Sequence, residues 1–343
     1  MPPPVAITRV TTARPQYRID SGRASTLIGA AVGDARRAAA IARGSRIRER
    51  ALALSPDAIG KLGSIEERNA VYRRVAPLLA LEVSRGALSG IKASTVGCLA
   101  SSSCTGYMVP GWDVEVAQAC GLPREALRIP VTQAGCSGGV VALSLAAAWA
   151  RQNPGRPALA AAVELCSLAF QADPEPGNLV STLIFGDGAG AALLEPGGDG
   201  LRVVGSRSVL LPCSREAIGF DLTDTGFYPR LSLDLADMLP EPTLAAVRAL
   251  LETRGLHLPD LSYALLHPGG PRILDNLQAA LGLPARALRW SQESLAAQGN
   301  TSSAAIFDVL RRYLDDPQAP RGWGVVAAFG PGVSIELLLV HRP

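Results

Sequence analysis

Lysine is nearly absent from this chain: of 33 basic residues only Lys61 and Lys92 are lysines. The arginines that supply the rest are scattered and give, against 30 acidic residues, a net charge of only +3. That pattern argues against a nucleic-acid partner, which would want a basic stripe. Histidine is scarcer than most residues, at His257, His267 and His341, and none of the six cysteines forms a Cys-x-x-Cys pair. This spacing argues against a structural zinc site. No apolar run reaches membrane-spanning length; the longest, near residues 140–149, leads into Arg151, so membrane insertion is not expected. The opening Met-Pro-Pro-Pro-Val lacks the charged-then-apolar order of a secretory signal, and the expectation is a cytoplasmic protein with free thiols.

What is present is a large apolar fraction, 48% hydrophobic against 18% charged over 343 residues. That suits two domains, or one duplicated unit, with ample core. Strand-like and helix-like stretches alternate throughout, which reads as α/β. The Pro-Gly-Gly-Asp-Gly run at 196–200 is the best boundary, giving halves at 1–200 and 201–343.

One stretch organises the chain, Gln-Ala-Gly-Cys-Ser-Gly-Gly at 133–139. A short strand at 127–131 leads into it and a buried helix at 140–149 follows, so Cys136 sits on a tight strand-to-helix turn. The helix dipole and free backbone N–H groups there favour a thiolate, the nucleophile of acyl transfer. Residues 28–50 read as one helix carrying Arg36, Arg37, Arg43, Arg46, Arg48 and Arg50, either a solvated face or a mouth for coenzyme phosphates. Glu164 is unusual in an apolar strand at 157–165. Phe-Gly-Asp-Gly-Ala-Gly at 185–190 leads into a strand, whereas a dinucleotide fingerprint must open a helix. The segment from 212 to 240 reads as irregular. A short strand at 263–266 delivers His267 into a Pro/Gly turn, and Asn300 precedes an amphipathic helix, where it could simply cap. Cys136, His267 and Asn300 are together a nucleophile, a base or oxyanion donor, and an amide donor.

These motifs together resemble the type III polyketide synthases, the chalcone-synthase-like family, over residues 27–340. The matching stretches are the 133–139 motif, Phe-Gly-Asp-Gly-Ala at 185–189, His-Pro-Gly-Gly-Pro at 267–271, Gly-Asn-Thr-Ser-Ser at 299–303 and Phe-Gly-Pro-Gly at 329–332. Ser-Cys-Thr-Gly-Tyr at 103–107 is similar to the bacterial branch, with Cys104 where plant enzymes have threonine. The resemblance implies a thiolase-like fold of two similar halves stacked α-β-α-β-α, and a homodimer. It implies that Cys136 takes an acyl-CoA starter while His267 and Asn300 assist decarboxylation of malonyl-CoA. Repeated condensation and cyclisation then release a pyrone or phenol. CoA thioesters enter as substrates, and no cofactor or metal is called for.

By the same resemblance Phe185 is the gatekeeper, and Val109 reaches across the dimer. Cys104, Ala169, Phe220 and Ser302 line the elongation pocket. Of the family's basic coenzyme positions Arg37 is matched, but Ala40 and Gly44 stand at the next two, with Arg43, Arg36, Arg46 and Arg272 as substitutes. A second gate phenylalanine is replaced near Pro229. Phe220, where chalcone synthases have glycine, is expected to fill the pocket and limit extension to two or three units on an aliphatic starter, while Ala169 could reopen a side tunnel. The rival reading is a ketoacyl synthase III-like enzyme that condenses only once; His-Pro-Gly-Gly-Pro and Phe-Gly-Pro-Gly favour the polyketide branch.

Overall fold

The computed structural model describes residues 4–343. Strand β1 (Val5–Ala13) and the short β2 (Tyr17–Asp20) open the chain. Helices α1 (Ser21–Val32) and α2 (Ala35–Gly44) follow, then β3 (Glu49–Leu52) and the turn α3 (Pro56–Ile59). The single helix expected at 28–50 is therefore two helices and a strand. Gly33 takes the left-handed conformation at φ 74° and ends α1, and the Asp34 carboxylate accepts from Arg37 N to start α2. The long α4 (Ile65–Ala87) begins with a capping box between Ser64 and Glu67. Next come β4 (Cys98–Ser102), α5 (Trp112–Cys120), β5 (Leu127–Val131), α6 (Gly138–Gln152), β6 (Ala158–Leu165), α7 (Pro176–Ile184) and β7 (Asp187–Pro196).

The second part of the chain runs β8 (Leu201–Leu210), β9 (Ile218–Thr223), β10 (Gly226–Leu231), α8 (Leu235–Met238), α9 (Pro240–Glu252) and β11 (Leu261–Leu266). It closes with α10 (Pro271–Leu281), α11 (Arg289–Gln298), α12 (Ala305–Asp315), β12 (Gly322–Gly330) and β13 (Ser334–Arg342). The segment read as irregular thus holds a hairpin, β9 and β10, turning at Thr223–Gly226.

Nine strands join in the order β11-β12-β13-β8-β1-β7-β6-β4-β5. The join is thin, because β1 pairs with β8 over only three residue positions and with β7 over eight. On one side β4 runs parallel to β6, β6 antiparallel to β7, and β7 antiparallel to β1. On the other side β11, β12, β13 and β8 repeat that pattern in the same order. The repetition lies in the backbone; no sequence repeat accompanies it.

Strand alternation sorts the core into layers. Ala158, Ala160 and Ala162 of β6 join a core with α6 and α12, shared with Val326 and Ala328 of β12. The alternate residues Leu159, Ala161 and Val163 face α4 and α5. Val325 and Ala327 of β12 face α9 and α10. Helices therefore cover both outer faces, and α6 with α12 fills the space between the half-sheets. This is the five-layered α-β-α-β-α arrangement expected.

Candidate active site

The two central helices begin almost against each other. Each is preceded by a 3-10 turn, at Gly135–Ser137 and Ser302–Ala304. Small residues allow the approach: a Cβ on Gly139 would stand 2.2 Å from the Ser303 carbonyl oxygen, and one on Gly138 would stand 2.1 Å from Ser102 Oγ. Gly135 at φ 52° and Ser302 at φ 50° make the turns tight. Gly135 also abuts the Pro331 ring at the end of β12.

Cys136 lies in the first of these turns and interacts with the side chains of Ser302 and Asn300 in the second. Asn300 is buried; its Oδ1 accepts from Ser302 N at 2.8 Å, which leaves the amide N–H groups free to favour the charged form of Cys136. The capping role and the role toward the thiol are thus both served by one side chain. Backbone bonds to Ile184 and Gly186 hold Asn300 beside Phe185.

His267 follows β11 directly, its N–H bonded to the Ala327 carbonyl at 2.7 Å, and it is buried with Nδ1 lacking a hydrogen-bond partner. β11 and the β12 end that carries Pro331 are parallel neighbours, so His267 emerges at the same end of the layers as Cys136.

Electrostatics depart from the expected thiolate. Burial pushes the Cys136 thiol up to about 12, with hydrogen bonds from Ser302 and Asn300 opposing it. Burial also pushes His267 down to about 3. Desolvation outweighs the helix terminus at Cys136 and favours the neutral form of each group, thiol at Cys136 and imidazole at His267.

Glu164, whose role the sequence left open, is the hub of this end of the molecule. It is fully buried and accepts from Cys104 N (3.1 Å), Thr105 Oγ1 (2.8 Å), Ser302 Oγ (3.4 Å) and Ser303 Oγ (2.5 Å). The Cys104 thiol lies 3.5 Å from the same carboxylate and 3.6 Å from Ser302 Oγ. Its apolar strand was the one signal in the sequence.

Residues 26–198 match the chalcone and stilbene synthase N-terminal domain, and residues 202–342 the C-terminal domain of the same family. The chain belongs to the chalcone and stilbene synthase family. It is a type III polyketide synthase, an acyltransferase that condenses malonyl-CoA units iteratively. Its sequence is 33% identical to a 1,3,6,8-tetrahydroxynaphthalene synthase of Streptomyces griseus, covering 79% of this chain and 74% of the relative. It is 30% identical to an alpha-pyrone synthesis polyketide synthase-like protein of Mycobacterium tuberculosis, covering 80% and 73%. The crystal structure of a tetrahydroxynaphthalene synthase from Streptomyces coelicolor superposes with TM-score 0.91 at 29% identity, covering 98% of this chain and 99% of that one.

Set against that family, the residues expected to line one pocket fall into two groups. Cys104 and Ser302 stand with Cys136. Ala169 and Phe220 instead line a cavity of about 460 Å³, together with Phe185, Phe170, Leu27 and Pro229, and Cys136 is not among its walls. Phe185 borders both, because its backbone pairs with Asn300. Phe220 is one wall of this cavity and stands edge-on to Phe227, ring centroids 5.9 Å apart.

Arg50, the last of the arginines read as a solvated face or a phosphate mouth, is buried in β3. It donates to the Thr182 and Phe185 carbonyls at 2.6 and 2.7 Å and lies near Asp187, which accepts from Ala53 N and from Ser167 N and Oγ. The Asp of the 185–190 motif thus anchors the wall that carries Ala169. Arg46 forms a bidentate pair with Asp275 and Arg272 pairs with Asp237, while Arg36, Arg37 and Arg43 lie exposed on α2. Val109 is 76% exposed, with Tyr107 and Leu127 also bared. Among the described residues no cluster of His, Cys, Asp or Glu could hold a metal ion, and no helix is long and apolar enough to cross a membrane.

Proposed function

We propose that Cys136, His267 and Asn300 are the catalytic triad, the first supplied by residues 1–200 and the other two by residues 201–343. The observation that carries this reading is the packing of the turn holding Cys136 against the turn holding Ser302, whose N–H fixes the Asn300 side chain through Oδ1. The neutral imidazole of His267 accepts the thiol proton, and the sulfur attacks the carbonyl of an acyl-CoA starter. The C–S bond to coenzyme A breaks, and the departing thiolate takes the proton back from the imidazolium. Malonyl-CoA then loses carbon dioxide, and the electron pair of the broken C–C bond moves into an enolate. Neutral donors on His267 and Asn300 hold the enolate oxygen, where a carboxylate would oppose it. The enolate carbon attacks the acyl–Cys136 carbonyl and expels the thiolate.

We assign the starter's acyl chain to the cavity behind Phe185. Its volume falls within the ~300–1,000 Å³ of small-molecule sites, and its walls are mainly aliphatic and aromatic, which favours a linear aliphatic chain. The small Ala169 leaves that cavity open, so the side tunnel weighed against Phe220 is the favoured outcome. Relatives named for phenols and for an alpha-pyrone frame the product class. Arg37 and Arg43, with Arg36, receive the coenzyme phosphates. The bared face of Tyr107, Val109 and Leu127 meets a second copy in a homodimer, and the enzyme works in the cytoplasm.

The test is intact-protein mass after incubation with acyl-CoA starters, then product analysis with malonyl-CoA. One acyl group added at Cys136 and products with several malonyl units support the reading; a single condensation per turnover would favour the ketoacyl synthase III-like alternative.

A further inference from the structure

Arg68 lies in the second turn of α4 and is 6% exposed. Its guanidinium makes three charge-assisted bonds, all to backbone carbonyls. Nε donates to Thr225 at 2.6 Å, Nη1 to Leu168 at 2.9 Å and Nη2 to Leu62 at 2.8 Å. Its neighbour Glu67 does not pair with it, turning its carboxylate to the N–H groups of Gly63 and Ser64.

The three carbonyls belong to three walls of the acyl cavity. Leu62 follows Gly60 and Lys61, Leu168 precedes Ala169 and Phe170, and Thr225 is in the turn of the hairpin that carries Phe220 and Pro229. These walls are a turn, a 3-10 segment and a hairpin in which Leu222, close to the turn, is 69% exposed. The clamp itself rides on α4, which is packed against the sheet through Val71, Leu79 and Val83. Gly226 completes the closure. It sits at φ 130°, and a Cβ there would meet Arg68 Cδ at 2.7 Å.

A buried cation bonded only to carbonyl dipoles contributes little net stability, since its desolvation offsets its bonds. What it supplies is geometry. A planar guanidinium holds its three acceptors from three nitrogens in a rigid plane, whereas the three donors of an ammonium radiate from one atom on a flexible stem.

We propose that Arg68 is a positioning residue that fixes the width of the acyl cavity and so sets the starter chain lengths this enzyme accepts. The proposal rests on the reading of that cavity as the acyl site. A loosened wall weakens contacts along a chain in proportion to the methylenes inside, and leaves a starter too short to enter unaffected.

The experiment measures kcat and KM for a straight-chain series from acetyl-CoA to palmitoyl-CoA on the purified full chain and on Arg68→Met, Arg68→Lys, Gly226→Ala and Ala169→Phe. Circular dichroism and thermal melts check that each variant is folded. Arg68→Met should lower the long-to-short ratio of kcat/KM about tenfold or more, carried by KM, with acetyl-CoA turnover within about twofold. Arg68→Lys should recover part of the loss, and Gly226→Ala, which presses on the clamp from the hairpin, should move the ratio the same way even if an Arg68 variant does not fold. If Ala169→Phe lowers the ratio but the folded Arg68 and Gly226 variants do not, the clamp is overturned and the cavity reading stands. If Ala169→Phe leaves the ratio unchanged, the cavity reading falls and the proposal with it.

Discussion

The two sides of the layered sheet follow one plan but use its positions differently. β4 ends at Ser102 and is followed by Ser103 and Cys104; its counterpart β11 ends at Leu266 and is followed by His267. The turn opening α6 carries Cys136, and the turn opening α12 carries Ser302, with Asn300 just before it. One side therefore offers two thiols at the positions where the other offers an imidazole and polar side chains. The lesson is that a repeated scaffold brings two sets of strand and helix ends to one point, and chemistry arises because the sets differ. A single side could supply either a nucleophile or its partners, not both.

The comparison is broken most completely at the nucleophile. Cys136→Ala should abolish acylation by acyl-CoA in intact-protein mass spectra and cut product formation by about 10⁴-fold or more. Cys104, in the loop after β4 that corresponds to the loop carrying His267, should not take its place. Acylation of the Cys136→Ala protein at Cys104 would show the two thiols to be interchangeable.

Next in size is the other helix. Losing the Asn300 donor should cost about 10²–10³ in turnover. Asn300→Asp keeps an oxygen for Ser302 N but loses the amide donor, so it separates the two duties of this side chain. Turnover near that of the unaltered enzyme in Asn300→Asp would leave capping as its only role.

The approach of the two turns can be tested without touching either set of polar groups. Gly139→Ala places a Cβ where the Ser303 carbonyl stands and should destabilise the protein by about 1–3 kcal/mol, read as a lower midpoint in denaturant. An unchanged midpoint would mean that α6 and α12 need not sit this close.

The smallest effect is electrostatic. The Ser302 hydroxyl favours the charged form of Cys136, so Ser302→Ala should raise the thiol further and slow iodoacetamide alkylation a few-fold at fixed pH. With the thiol at about 12, alkylation of the unaltered enzyme should climb about tenfold per pH unit from pH 7 to 9, because thiolate is the reacting form. A rate flat across that range would mean that Cys136 is already ionised there and is not a neutral thiol.

The residues proposed to react were legible in the sequence because each sits in a local motif of glycine and small residues with a recognisable turn. The partners were not legible, since they are distant in the chain. Glu164 meets Ser303 across 139 positions, and Arg68 meets Thr225 across 157. Nothing local distinguishes a buried Arg50 or Arg68 from the solvated arginines around them. Two misreadings had usable signals. Gly33 with Asp34 is a helix stop followed by a cap, and Thr-Asp-Thr-Gly at 223–226 is a hairpin turn. Phe220 was placed by its family position and its size, while its contact with Phe227 was not legible. The duplicated plan was legible through the family resemblance and not as a sequence repeat, because it lives in strand pairing and not in residue identity.

The long reach of β1 has a consequence for how the protein is made. Val5 pairs with Pro196, so the first strand must wait for nearly two hundred residues to leave the ribosome before its neighbour exists. When that pairing closes, the apolar side of α6 and the inner faces of β6 and β7 still lack the α12 and β12 that cover them. A nascent chain halted near residue 200 therefore exposes a broad apolar face, the kind of surface that draws chaperones or aggregates. The two halves are chemically complementary at the site and also obligate partners in synthesis, and separate expression of either should yield insoluble protein unless the other is made alongside it.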